Sequence, residues 1–182
     1  LTTRASTTTS GFETGSNPTA SRVTLISPTT RHLIHLGTET TIGTTTTQDD
    51  MFIRFSDQED INTYAPSATN SAGTLRIQDG TKIVGAIKAK EVILIFTDNA
   101  LYTMKFIGAP FTFQLDQVGT NCGLIGKNAV VEIDGAAFWL SQKGFFLFDC
   151  TVKSIPCTVE DFVFDNFDTT KGQQVAAGLN NL

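Results

Sequence analysis

Three carboxylates in one short stretch, Asp57, Glu59 and Asp60, are the first residues whose types and spacing could do chemistry. Such a cluster could hold a cation or supply an acid and a base. Its spacing lacks the Asp-x-Asp-x-Asp-Gly alternation of a calcium loop, and it follows an apolar strand-like run, Met51 to Phe55. We read it as a solvated hairpin turn. His32 and His35 are the two histidines of the chain. Three-residue spacing in a strand puts them on opposite faces, where they cannot share a metal. Asp161, Asp165 and Asp168 interleave with Phe162, Phe164 and Phe167, which reads as strand-type alternation running into a loop. No Gly-x-Ser-x-Gly elbow and no phosphate-binding loop is present. Cys122, Cys150 and Cys157 have no metal spacing, so free thiols in a reducing compartment are expected, with a Cys150–Cys157 bridge as the alternative. The sequence therefore predicts no enzyme, no cofactor and no catalytic metal.

The elements around these residues repeat. Val84–Met104 overlays Asn128–Phe148 without a gap at an offset of 44 residues. Val92 to Phe96 falls on Ala136 to Leu140, Thr97-Asp98-Asn99 on Ser141-Gln142-Lys143, and Leu101 to Met104 on Phe145 to Phe148. Residue class and turn position match, while identities are rare. A period of about 40–45 residues built from short strands predicts a β-propeller with one four-stranded blade per repeat. One blade is expected to use 83–87, 92–96, 101–106 and 111–115, and the next 129–133, 137–140, 145–148 and 152–155. A looser copy would contain Met51 to Phe55, Ile61 to Tyr64 and Gly73 to Ile77. The unbroken apolar runs suit strands buried on both faces, and Trp139 reads as a core aromatic. The glycines from Gly119 to Gly126 predict a tight crossing between blades that uses positive φ. Ser141 to Gly144 sits where sialidase-type propellers carry an Asp-containing turn, but the Asp is missing, and no Trp-Asp repeats occur.

The fold class expected is thus all-β: a propeller fragment of about three four-stranded antiparallel blades, with a Thr-rich extended segment before it. Residues 1–50 contain 17 threonines and are divided from the blades of 51–182 on composition, although 21–27 and 31–36 alternate well enough for short strands. Too few repeats are present to close a ring, and the apolar run Val175 to Leu179 reads as the start of another strand. No run reaches the roughly 18 apolar residues of a membrane span. Thirteen Lys and Arg against 18 Asp and Glu leave a net charge of −5. That balance argues against a protein that grips nucleic acid through clustered phosphate contacts.

Several segments resemble the tail nozzle, or tail tubular, proteins of short-tailed bacteriophages. These are Arg54 to Asp60, Thr69 to Gly73, Ile93 to Tyr102, Gly119 to Gly126, and Ile155-Pro156-Cys157 ahead of Val163-Phe164. They occur in order across roughly residues 51–182. Where the family more often carries Trp before the Ser, this chain has Phe55. The resemblance implies a structural virion subunit with a propeller body. It implies a six-fold homo-oligomeric ring at the distal tail, adjacent tail adaptor and tail fibre or spike proteins as partners, and genomic DNA passing through without specific binding. The protein would be assembled in the host cytoplasm and reside in the virion. Channel-facing loops would be neutral or acidic, with Asp49, Asp50, Asp57, Glu59 and Asp60 as candidates. The alternative is a cellular β-propeller used as an adaptor or glycan-binding module, and a glycan binder should expose aromatics on one rim.

Overall fold

Strands dominate the chain because short β-branched and aromatic runs alternate with Gly, Asn and Asp turns. The structure is a computed structural model describing residues 17–180, so the part of the Thr-rich reading that concerns 1–16 lies outside the described residues. Twelve strands form three antiparallel sheets. The first sheet holds β1 (Val23–Ile26), β2 (Leu33–Leu36), β3 (Phe52–Phe55) and β4 (Gly73–Arg76). The second holds β5 (Ile83–Ala89), β6 (Val92–Thr97), β7 (Ala100–Gly108) and β8 (Thr112–Thr120). The third holds β9 (Val130–Ile133), β10 (Ala136–Ser141), β11 (Gly144–Asp149) and β12 (Thr151–Ile155). Within each sheet the strands lie side by side in sequence order. This is an all-β fold of propeller-like blades.

The 44-residue offset holds at the level of strand pairing. Ala89 pairs with Val92, Lys88 with Ile93, Ile87 with Leu94 and Ala86 with Ile95. Each pair recurs 44 residues on, as Ile133 with Ala136, Glu132 with Ala137, Val131 with Phe138 and Val130 with Trp139. The β6–β7 pairs Ile93–Met104, Leu94–Thr103, Ile95–Tyr102 and Phe96–Leu101 recur as Ala137–Phe148, Phe138–Leu147, Trp139–Phe146 and Leu140–Phe145. Even the turns agree, since Lys90 and Asp134 both take positive φ, 48° and 51°. Side-chain period fixes this register: a slip of one residue would turn every buried side chain to the opposite face.

The second sheet is the middle layer. Ile93, Ile95 and Met104 project to one side and pack with Ile34, Ile53 and Phe55 of the first sheet. Leu94, Phe96 and Leu101 project to the other and pack with Ala137, Trp139 and Phe148 of the third. Burial on both faces explains the unbroken apolar run of β6. In β10 burial instead alternates: Ala137, Trp139 and Ser141 are buried, while Ala136, Phe138 and Leu140 are half-buried. The homologous run was expected to be buried on both sides, but only one of its faces meets another sheet.

Four further expectations need correction. Composition placed a boundary at residue 50, yet the first sheet takes β1 and β2 from before it and β3 and β4 from after it. Ile34 and Leu36 are fully buried there despite their Thr-rich surroundings. Residues 61–64 form no strand. The Asp60 carboxylate instead accepts bonds from the Asn62 amide and the Thr63 hydroxyl, satisfying the chain locally. The Asp and Phe alternation after 159 is a helix, α1 (Glu160–Asn166), because Val163, Phe164 and Phe167 share a half-buried stripe at helical spacing while Phe162 points out, 72% exposed. Finally, Gly119, Gly123 and Gly126 do form the crossing between sheets, but the positive φ belongs to Asn121. The glycines are needed for close approach: a Cβ on Gly123 would lie 2.2 Å from the Asp98 carbonyl.

Candidate functional site

The five candidate carboxylates do not converge. Asp49 and Asp50 precede β3 and Asp57, Glu59 and Asp60 follow it, so the strand holds the two groups at opposite ends of the first sheet. Asp50 takes both ends of the Arg22 guanidinium, at 2.6 and 2.5 Å. Asp49 accepts from Arg76 Nε at 2.7 Å and the Met51 amide at 2.9 Å. Burial opposes its charge, but these bonds outweigh that and hold its carboxyl below the usual range. Asp57 Oδ1 accepts from the Ser71 hydroxyl at 2.5 Å and the Ser71 amide at 2.8 Å, and Ser71 chiefly holds its carboxyl low. Asp60 is likewise lowered, first by the Asn62 amide and then by the Thr63 hydroxyl. Glu59 pairs with Arg31 at 3.0 Å on the surface. Hydrogen bonds to the charged form thus keep Asp49, Asp57 and Asp60 ionised, the opposite of what a general acid needs.

The buried polar groups are a different set. His32 is fully buried, with Nδ1 2.7 Å from the Thr30 hydroxyl and Nε2 2.9 Å from that of Ser71. Its ring stands edge-on to Phe113 at 5.1 Å, with Phe55 and Phe106 also beside it. His35 lies on the opposite face, between Thr24 Oγ1 at 3.2 Å and the Tyr64 hydroxyl at 3.0 Å. Burial first, then the Arg54 charge, pushes it down to about 4, and Glu39 only partly offsets this. Burial raises the Tyr64 hydroxyl. Glu39 is fully buried and accepts from the Thr19 and Gly43 amides. Arg54 is 6% exposed, donates to the Glu39 and Thr40 carbonyls, and lies over the Phe52 ring. Sequence reasoning named the two histidines and separated them onto opposite faces, but it missed their hydrogen-bond partners, and with them Glu39 and Arg54, because long connections assemble the set. The usable signal was a charged residue, Arg54, inside the apolar run of β3.

Concavities of two kinds lie among the described residues. An open cleft of about 540 Å³ lies beside Asp57, Glu59, Asn70 and Ser71. An apolar groove of about 440 Å³ lies on the outer face of the third sheet, along Phe138, Leu140, Phe145 and Ile155. Cys122 is buried, Cys150 exposed and Cys157 intermediate, all as free thiols. Among the described residues no group of three or more His, Cys, Asp or Glu could hold a metal, and no helix is long and apolar enough to cross a membrane. The class defined is an all-β protein of propeller-like blades, and its five candidate carboxylates are committed to arginines, hydroxyls and backbone amides. No family model and no curated protein matches the chain.

Proposed function

We propose that this is a structural virion protein of a short-tailed bacteriophage, a tail nozzle subunit forming a six-fold ring around the DNA exit channel. The observation that carries the reading is the ordered series of resembling segments across 51–182. Those segments fall on β3 and its following turn, on β6 to β7, and on the Gly119–Gly126 crossing. The state of the carboxylates favours a structural over a catalytic role, since none of the five candidates is paired with another so as to hold and release a proton. The net charge of −5 suits a bore that repels phosphates at close range, with the field screened beyond about 8 Å in physiological salt. In this reading Asp49, Asp50, Asp57, Glu59 and Asp60 face the bore or its rim. Tail adaptor and fibre or spike proteins are the neighbours, and DNA passes without specific contacts.

The adaptor or glycan-binding alternative gains little from the aromatics. Phe111 and Phe162 are 73% and 72% exposed. Phe111 lies in the β7–β8 connection, whereas α1 sits beside Gly144 at the other end of its sheet. Imaging of purified particles tests the proposal, together with DNA binding measured at two salt concentrations. Six-fold rings with weak, salt-sensitive binding are expected. A monomer, or sub-micromolar DNA affinity at physiological salt, would overturn it.

A further inference from the structure

A polar chain, buried from Ser27 to His32 and half-buried at Ser71 and Asp57, ties together three connections at one end of the first two sheets, and the nozzle reading uses only its Asp57 end. The Ser27 and Thr30 hydroxyls are 2.9 Å apart, and Thr30 reaches His32 Nδ1. His32 Nε2 reaches Ser71 Oγ, and Ser71 reaches Asp57 Oδ1. Thr112 Oγ1 donates to the Ser71 carbonyl at 3.0 Å. The β1–β2, β3–β4 and β7–β8 connections therefore all close onto Ser71 and His32.

The proton positions follow from the acceptors. Asp57 is ionised and can only accept, so the Ser71 hydroxyl donates to it. Ser71 Oγ then accepts, and His32 must present Nε2–H to it. Nδ1 is left as the acceptor for the Thr30 hydroxyl, which accepts in turn from Ser27. Every member is satisfied with a neutral imidazole. Adding a proton at Nδ1 would set two donors face to face at Thr30, unless Thr30 and Ser27 both reverse. Ser27 and Thr30 are only 3% and 7% exposed, so water is not at hand to absorb the reversal.

We propose that neutral His32 is an acid-sensitive latch: it holds the three connections closed, and its protonation releases them together. The groups facing it have been weighed. Burial among the three phenylalanines opposes the charge most strongly, and Asp57, reached through Ser71, favours it less. Arg31 and Glu59 neutralise each other on the surface next to the chain. A charged ring in this pocket therefore gains most by exposing itself to water, which requires the loops to part.

Hydrogen exchange tests this on the whole protein, with rates corrected for the intrinsic pH dependence of amide chemistry. Relative to the strands of the third sheet, which register only the global loss of stability, protection of residues 27–32, 56–72 and 106–113 should fall together, at least tenfold, between pH 7.5 and pH 5. His32→Gln keeps a donor and an acceptor but cannot be charged, and it should abolish that fall; His35→Asn should leave it in place. Imidazole nitrogen NMR of the unaltered protein provides a check that needs no variant. It should show the Nε2–H tautomer at neutral pH and a His32 titration that coincides with the loss of protection. Persistence of the acid response in His32→Gln, segments that open at different pH values, or a His32 that titrates while the loops stay protected would each overturn the latch.

Discussion

The first sheet and the third solve the same packing problem with different means. In the third, residues 134–135, 142–143 and Cys150 are all that join its four strands. Stability there comes from backbone pairing and apolar contact, with Trp139 stacked on Phe146 and edge-on to Phe96. In the first sheet the connections run through 27–32, 37–51 and 56–72. They fold back over the strands, bring His32 and Glu39 into the interior, and cover Arg54 of β3. Tight turns leave a sheet with only its ladder and its faces. Long connections add a second layer of side-chain hydrogen bonds, and with it sensitivity to protons.

The contrast can be broken most severely at Trp139, which is 3% exposed and donates from Nε1 to the Cys122 carbonyl at 2.7 Å. Trp139→Ala should lower unfolding free energy by about 3–5 kcal/mol, read from urea titration, with no change in the pH dependence of stability. Gly123→Ala should follow at about 3 kcal/mol, because the new Cβ collides with the Asp98 carbonyl and the β6–β7 turn must shift. Crystals of that variant should show the turn displaced. Preserved stability would mean that the Gly123–Asp98 approach is not a tight packing constraint.

Acid sharpens the comparison from the other side. His35 is neutral in the fold because its value lies near 4, below the ordinary 6.5. The unfolded chain takes up the proton first, so stability is intact above pH 6.5. The His35 contribution falls as pH drops from 6.5 to about 4 and levels off below that, where protonation of Asp49, Asp57 and Asp60 takes over the loss. The His35 share should be about 3 kcal/mol, seen as a falling urea midpoint, and His35→Asn should flatten that slope. The smallest effect belongs to the surface carboxylates. Asp50→Asn breaks the exposed pair with Arg22 and should change stability by less than about 1 kcal/mol, measurable as a small shift in Tm that vanishes in high salt.

The legible part of this fold was the part governed by side-chain period. The 44-residue register, the turns at 98–99 and 142–143 and the core position of Trp139 follow from alternation and turn chemistry. The first sheet was only half legible. Its strands β1 and β2 alternate, but composition around them is dominated by Thr, and the long connections carry no period at all. The α1 helix was misread because Asp161, Asp165 and Asp168 suggested alternation. Val163, Phe164 and Phe167 already carried the helical spacing. The carboxylates of the candidate set were visible, but their partners Arg22, Arg76 and Ser71 are remote in sequence, and only the folded chain brings them near. The His32 chain was invisible for the same reason.

One consequence concerns how a disturbance would travel through the molecule. Neighbouring residues of β6 face opposite ways, Ile93 and Ile95 into one cluster and Leu94 and Phe96 into the other. The two apolar interiors therefore share a wall one strand thick and no common side chain. An event at His32 could not pass to Trp139 by one side chain pushing the next. It would have to tilt the whole middle sheet, and the paired backbone of β5 to β8 resists that motion as a unit. The protein is built as two insulated compartments, so changes on one side of β6 should be felt locally and forgotten on the other.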